Sequence, residues 1–277
     1  MNAHFSITAV TARVHHALVA MLVAVLLSFV QAGPAAAGDA KAGAAIIARA
    51  VEALGGAPLI DRILTISVTS MASRATPNGI LKTPTRSFIE FPAYFRQEID
   101  INGGTIAMAS SPEGAFLIAP NMVQPLSDAQ RQNVEVTALH NPLVMLKGRK
   151  NPLFSADAGG EGTVGTAAVD FVDVYVGNEQ MRIAVDKSSG RIVQQEFDTR
   201  GGVPERPGRM VVTYSDFRRI PYGIAIAHMS IGRFEGQVVY ESAIESVAVN
   251  DKLKDALFNP NPSDATAGSS ARTPLKP

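Results

Sequence analysis

Residues 87–120 (SFIEFPAYFRQEIDINGGTIAMASSPEGAFLIAP) alternate between apolar and polar side chains and are punctuated by turn residues. Phe95, Ile99 and Ile101 share one parity, whereas Arg96 and Glu98 share the other. Because successive side chains of a β-strand point to opposite faces, this period of two predicts a strand with one apolar and one wet face. The rest of the chain is therefore expected to extend this sheet or to cover its apolar face.

Turn sequences divide the stretch into antiparallel strands. Asn-Gly-Gly at 102–104 and Ser-Pro-Glu-Gly at 111–114 allow tight reversals, and Pro92 ends the preceding strand because proline cannot donate to a strand ladder. Further strands are predicted at 63–71, 86–91, 95–101, 105–109, 115–119, 164–176, 181–186, 191–198, 209–216, 224–231 and 237–248. Short strands joined by turn residues predict one antiparallel sheet and not a βαβ protein.

Helical patterns occur at three places. Asp39 is a good N-cap for an amphipathic helix that ends at Gly55-Gly56, and this helix is either a mobile lid or a surface helix without functional meaning. Residues 127–140 begin with a capping-box sequence, and 143–146 form a short apolar helix after Asn-Pro. These two predict a helical excursion between two halves of the sheet. A last helical turn is expected at 251–258.

The chain ends predict an exported protein. Residues 1–37 resemble a secretory signal, with a 16-residue apolar run followed by an Ala-Ala-Ala cleavage site; the alternative is an uncleaved anchor, although a span needs about 20 residues. The absence of cysteine excludes disulfides and a lipidated N-terminal cysteine. We therefore predict a signal peptide at 1–37, one domain at 38–262, a disordered tail at 263–277, and localisation in the periplasm.

Seven segments of the chain, in their order, resemble a known family. They are AVEALGG, FPAYFRQEI, SPEGAFLIAP, HNPLVMLKGR, IAVDKSSGRIV, VVTYSDFRRIPYGIAIAHMSI and VNDKLKDALFNPNP. Together they resemble the LolA/LolB-like periplasmic lipoprotein carriers and the wider group of outer-membrane lipoprotein-sorting-like proteins. The resemblance covers residues 50–262, which is nearly the whole of the predicted domain.

This resemblance implies a mainly β (α+β) fold: an unclosed, strongly curved antiparallel β-barrel with helices covering the concave face. It also implies an apolar cavity that shelters a lipid or the acyl chain of a lipoprotein, for which each buried methylene contributes about 0.8 kcal/mol. The residues expected to line the cavity are Ile89, Phe91, Phe95, Ile99, Phe116, Ile118, Leu143 and Leu146. The same set can instead be an ordinary dry core.

Motifs of catalysis are missing from the sequence. It contains no H-E-x-x-H, no G-x-S-x-G, no P-loop and no dinucleotide-binding fingerprint, so we expect no enzyme, cofactor or metal. Equal numbers of basic and acidic residues, 25 of each, leave no global field to attract nucleic acid. The prediction is a monomeric, non-catalytic carrier without a transmembrane domain after signal removal. Alternatives are an envelope sensor or interaction module that binds a protein partner, and a hydrolase.

Overall fold

The computed structural model describes residues 39–76, 79–101, 103–199 and 207–260. The predicted signal peptide at 1–37 and the predicted tail at 263–277 lie outside the described residues. Within the described ranges no helix is long and apolar enough to cross a membrane.

Thirteen strands in the described part of the chain form one antiparallel sheet. They are β1 (Thr65–Thr76), β2 (Gly79–Glu90), β3 (Tyr94–Ile101), β4 (Gly104–Ser111), β5 (Gly114–Ala119), β6 (Met122–Pro125), β7 (Phe154–Val164), β8 (Ala167–Val176), β9 (Glu179–Asp186), β10 (Ile192–Thr199), β11 (Gly208–Arg219), β12 (Ala225–Phe234) and β13 (Gln237–Val249). Their order is β6-β5-β4-β3-β2-β1-β13-β12-β11-β10-β9-β8-β7. Two meanders therefore meet where β1 pairs with β13, and β6 and β7 are the two open edges.

Four α-helices precede or interrupt the sheet in the described ranges. They are α1 (Ala40–Leu54), α2 (Ala57–Asp61), α3 (Asp128–Leu139) and α4 (Pro142–Lys147), with 3₁₀ turns at Gly148–Lys150 and Asp255–Leu257. The carboxylate of Asp39 accepts hydrogen bonds from the first backbone amides of α1, and Ser127 forms a reciprocal capping box with Gln130 at α3. Each cap satisfies helix amides that have no partner within the helix.

The helices pack on one face of the sheet. Arg49 of α1 forms an ion pair with Asp170 of β8 at 2.5 Å, while α3 contacts β3, β4 and β5. At Gly43 a Cβ atom would overlap with the carbonyl of Ala156, so the absence of a side chain lets α1 approach β7 closely. We call the helix-covered side the inner face and the opposite side the outer face.

One apolar core lies between the inner face and the helices. Its most enclosed members, each at most 1% exposed, are Ile60, Ile63, Met145, Leu146, Val172, Val174, Met181, Ile183, Val185 and Ile224. They come from α2, α4, two loop segments and strands β8 and β9, and the same core includes Ile66, Ile89 and Phe95 of the first meander. The two meanders therefore share a single hydrophobic core.

The predicted fold class is confirmed: the protein is mainly β, with one antiparallel sheet that does not close and helices on its inner face. The excursion between the two halves is also confirmed, since α3 and α4 connect the two edge strands. Three elements were not predicted, namely α2, β6 and the start of β7 at Phe154. The last helix is shorter than expected, because only Asp255–Leu257 is helical.

Candidate functional site

Strand register decides which predicted residues share a face. Residues directly opposite each other on antiparallel neighbours point to the same side of a sheet. Ile89 pairs with Phe95, Phe95 with Ser110, and Ser110 with Ala115. Because Ile89 and Phe95 belong to the core beneath the helices, this row defines the inner face from β2 to β5.

Six of the eight predicted cavity residues are associated with this core or the inner face. They are Ile89, Phe91, Phe95, Ile99, Leu143 and Leu146. Leu143 and Leu146 reach it from α4 and are at most 4% exposed, and Ile89 and Phe95 are at most 8% exposed. Half-buried Phe91 packs against the same core, with the ammonium of Lys147 at 4.8 Å from its ring centre.

The other two predicted residues lie on the outer face. Phe116 pairs with Ala109, and Ile118 pairs with Ala107. Both pairs have the parity opposite to Ser110 and Ala115, so the structure does not bring Phe116 and Ile118 together with Phe95. The sequence signal was weak here, since every residue from Ala115 to Ala119 is apolar and the strand shows no alternation.

An exposed apolar area continues the inner face beyond the helices, toward the hairpin tips. Ile99 pairs with Ile106, Ile101 follows on the same side, and Met122 pairs with Ala119 on the edge strand. Ile101 and Ile106 are each 39% exposed and Met122 is 41% exposed. We call Ile99, Ile101, Ile106 and Met122 the inner-rim patch. Sequence reasoning placed Ile99 and Ile101 on one face with Phe95, but it missed Ile106 and Met122.

In the opposite half of the inner face, polar and aromatic side chains lie among the aliphatic core residues. The Tyr214 hydroxyl donates to Oε1 of fully buried Gln195 at 3.0 Å, and burial holds the pKa of the Tyr214 phenol well above its usual value. The His140 ring, at the end of α3, stacks on Phe197 with 3.5 Å between ring centres. Burial lowers the pKa of this imidazole to about 4, so His140 is neutral at pH 7.

A second concave feature lies beside α1. It is an open groove of about 520 Å³ between one side of α1 and the start of β7. Its lining is Ala40, Ala44, Ile47, Ala48, Val51, Glu52, Ala57, Arg149, Phe154, Ser155 and Ala156. None of the eight predicted cavity residues lines it. Alanine repeated at a spacing of four residues in α1 is the sequence signal that could have indicated this groove.

Charged groups on the outer face are paired with one another. The carboxylate of Glu98, which is only 8% exposed, accepts from Arg86 at 2.7 Å and from Arg96 at 2.8 Å. Arg86 also reaches Asp100 at 3.2 Å. Two guanidinium groups balance the negative charge of the Glu98 carboxylate, which therefore has a structural role in place of an acid–base role.

The sequence itself matches no family model and no curated protein. Solved structures do match the fold. One is a domain from Vibrio parahaemolyticus described as an outer membrane lipoprotein-sorting protein, with a TM-score of 0.53 and 11% identity over 80% of this chain and 97% of that chain. Another is a DUF1329 family protein from Desulfovibrio piger, with a TM-score of 0.54 and 13% identity over 79% and 97% of the two chains.

A third solved structure carries the family name that the sequence segments resemble. It is a LolA superfamily protein from Nitrosomonas europaea, with a TM-score of 0.50 and 16% identity over 76% of this chain and 96% of that chain. At these identities the likeness concerns the fold. The unclosed antiparallel sheet with helices on its inner face is thus the fold of LolA superfamily proteins and of outer membrane lipoprotein-sorting domains.

Proposed function

We propose that this protein is a non-catalytic carrier or binding protein of the cell envelope that shelters an acyl chain on its inner face. Its fold is shared with proteins whose names refer to lipoprotein sorting and to the LolA superfamily. The signal-like residues 1–37 favour export to the periplasm, where such a carrier would act. A lipid or a lipoprotein acyl chain is the proposed ligand.

The observation that carries this proposal is the inner-rim patch. Ile101, Ile106 and Met122 each leave about two fifths of their surface exposed, on the inner face of the sheet. Covering an apolar side chain of this size removes it from water, and full burial is worth about 1.5–3 kcal/mol. An acyl chain lying across the patch would gain the share of this energy that belongs to the surface still exposed, at several positions together.

The buried residues beneath the patch define where the bound acyl chain would end. Ile89 and Phe95 close the inner face toward the helices, and Leu143 and Leu146 of α4 seal it from above. In this arrangement Ile99 connects the exposed patch to the closed core, because it pairs with Ile106 on one side and follows Phe95 on the other. Phe116 and Ile118, on the outer face, have no part in the proposed site.

The test compares two identical substitutions on opposite faces. Ile106→Glu places a carboxylate in the inner-rim patch, and Ile80→Glu places one on the outer face, where Ile80 is 73% exposed. Because a carboxylate in contact with hydrocarbon is strongly unfavourable, Ile106→Glu should weaken binding of a fluorescent diacyl phospholipid probe by about tenfold or more. Ile80→Glu should leave the probe affinity within about twofold, since its side chain stays in water.

The natural ligand is identified separately. An organic extract of protein purified from the periplasm, analysed by mass spectrometry, should contain acyl species in stoichiometric amount. If no acyl species is present and the two glutamate variants bind the probe as well as the parent protein does, the carrier proposal is wrong. The interaction-module alternative would then be favoured.

A further inference from the structure

The groove beside α1 is a continuous apolar channel along a helix. Ala40, Ala44 and Ala48 recur at a spacing of four residues, which places them on one side of α1 over about 12 Å of its axis. Their small side chains leave an open channel, while Ile47 and Val51 form its apolar floor. The volume of about 520 Å³ lies in the range of sites that hold small-molecule ligands, roughly 300–1,000 Å³.

The orientation of β7 relative to α1 defines the two ends of the groove. The amide of Ala158 donates to the carbonyl of Asp39 at 3.3 Å, and Gly43 lies over Ala156. The start of β7 therefore runs antiparallel to α1, and Phe154 lies toward the C-terminal end of the helix. The apolar end of the channel is at Ala40, and its other end is where α2 and the turn at Gly148–Lys150 meet.

Cationic side chains gather at that second end. Arg149, which lines the groove, contacts Asp61 at 2.8 Å, and Lys150 contacts the same carboxylate at 2.7 Å. Lys147 donates to the backbone carbonyl of Asp61 at 3.1 Å, and burial lowers its pKa. Two cations thus contact the Asp61 carboxylate and a third lies on the backbone beside it, and positive charge remains in excess after Glu52, which also lines the groove, is counted.

Two contacts hold the guanidinium of Arg149 in place, and they do not use all of its N–H groups. Its side chain is only 13% exposed, and Nη1 also donates to the carbonyl of Leu146 at 3.1 Å. A guanidinium has five N–H groups, and the contacts described for Arg149 use two of them. The remaining donors can bind an anionic group with charge-assisted hydrogen bonds, and the planar fork suits a carboxylate.

We propose that the α1–β7 groove binds a single-chain anionic amphiphile, with its alkyl chain along the alanine side of α1 and its carboxylate at Arg149. The apolar channel and its cationic end match the two parts of a fatty acid. This site is separate from the inner-rim patch, so the two proposals can fail independently. Its ligand class is a free fatty acid, whereas the inner face is proposed to hold the acyl chain of a larger lipid or lipoprotein.

The experiment uses full-length protein carrying Ile106→Glu, so that the inner-rim patch does not contribute. Titration calorimetry with dodecanoate should show one saturable site. Adding Ala44→Phe fills the groove and should weaken binding by about tenfold or more, whereas Ala45→Phe, one residue away on α1 and outside the groove lining, should change it less than about twofold. Both alanines are exposed, so both variants are expected to fold.

The head-group contact is tested with dodecanol, which has the same chain without the charge. Dodecanol should bind about tenfold more weakly than dodecanoate, and Arg149→Gln should remove this difference while Arg149→Lys retains part of it.

Equal affinities of the Ala44→Phe and Ala45→Phe proteins, or no dodecanoate binding in the Ile106→Glu protein, would overturn the groove site. Equal binding of dodecanoate and dodecanol would overturn the role of Arg149. Neither result affects the inner-rim proposal, which depends on the comparison of Ile106→Glu with Ile80→Glu.

Discussion

The His140 imidazole joins the helical cover to the far half of the sheet. It ends α3, which contacts β3, β4 and β5, yet its ring stacks on Phe197 of β10. Burial makes the charged form of the ring unfavourable and lowers its pKa to about 4. Since an unfolded histidine has a pKa near 6.5, protonation opposes this contact as the pH falls.

We predict that the contact makes the protein less stable in mild acid. Above a pH of about 6.5 the ring is neutral in both states, and as the pH falls from there to about 4 only the unfolded state gains the proton. The free energy of unfolding should therefore drop by about 2 kcal/mol between pH 7 and pH 5. Urea titrations at the two pH values measure this. His140→Phe keeps an aromatic ring without a titrating group, and an equal acid loss in that variant would contradict the prediction.

Residue parity could be predicted from the sequence only where polar and apolar side chains alternate. In β3 the alternation is clear, and Phe95 lies on the inner face opposite Ile89 as expected. In β5 all positions are apolar, so the sequence offered no reason to separate Phe116 from Leu117. The face of a uniformly apolar strand is decided by its neighbour's register, which the sequence does not display.

Elements with local end signals were predictable, whereas elements defined by their partners were not. The caps at Asp39 and Ser127 mark the starts of α1 and α3, and both helices occur where expected. The first half of β7 contains Gly159-Gly160 and few large apolar residues, so it resembles a loop in the sequence. It is a strand because it pairs with β8 and supports α1, with a register shift at the glycines.

A short C-terminal segment, residues 251–260, is fastened to the outer face of β3 and β4. Phe258 is 1% exposed, and its ring centre lies 5.4 Å from that of Tyr94. Arg96 donates to the carbonyl of Leu257 at 2.8 Å, and Ser111 bonds to the side chain of Asn259 at 2.6 Å. The segment therefore covers an area of the outer face that would otherwise be exposed.

Truncating the aromatic anchor of this segment should be costly. Phe258→Ala removes a fully buried ring and is expected to lower the free energy of unfolding by about 3–5 kcal/mol in urea titrations. Phe258→Leu should cost less, because it preserves part of the buried surface. Lys254→Ala, at an exposed position of the same segment, should stay within about 0.5 kcal/mol. A cost below about 1 kcal/mol for Phe258→Ala would show that the segment is not anchored by this ring.

At the level of the whole molecule, the fold depends on one long-range pairing. The two meanders follow the chain order, and local turns explain them, but the contact of β1 with β13 joins Ile66 to Val249. No turn or residue spacing in the sequence indicates this pairing. The antiparallel sheet could be predicted from alternation, whereas its unclosed form was implied only by the family resemblance.

Removing residues 263–277 should leave the fold unchanged. The last described side chains that contact the sheet are in the 251–260 segment, and residues 263–277 contain a single large apolar residue, Leu275. A thermal scan of the truncated protein should give a melting temperature within about 2 °C of the full chain. A decrease of several degrees would mean that this tail packs on the domain.

The pairing of β1 with β13 also has a consequence for biosynthesis. Ile66 of β1 pairs with Val249 of β13, near the end of the domain. One edge of β1 therefore lacks its native partner strand until almost the whole domain has been synthesised. Pairings this distant in the sequence form slowly, since the connecting chain must be ordered first. The sheet is therefore completed only after the last strand has been synthesised. Slow completion makes the β1 edge the part of the nascent chain that most needs protection from association with other chains.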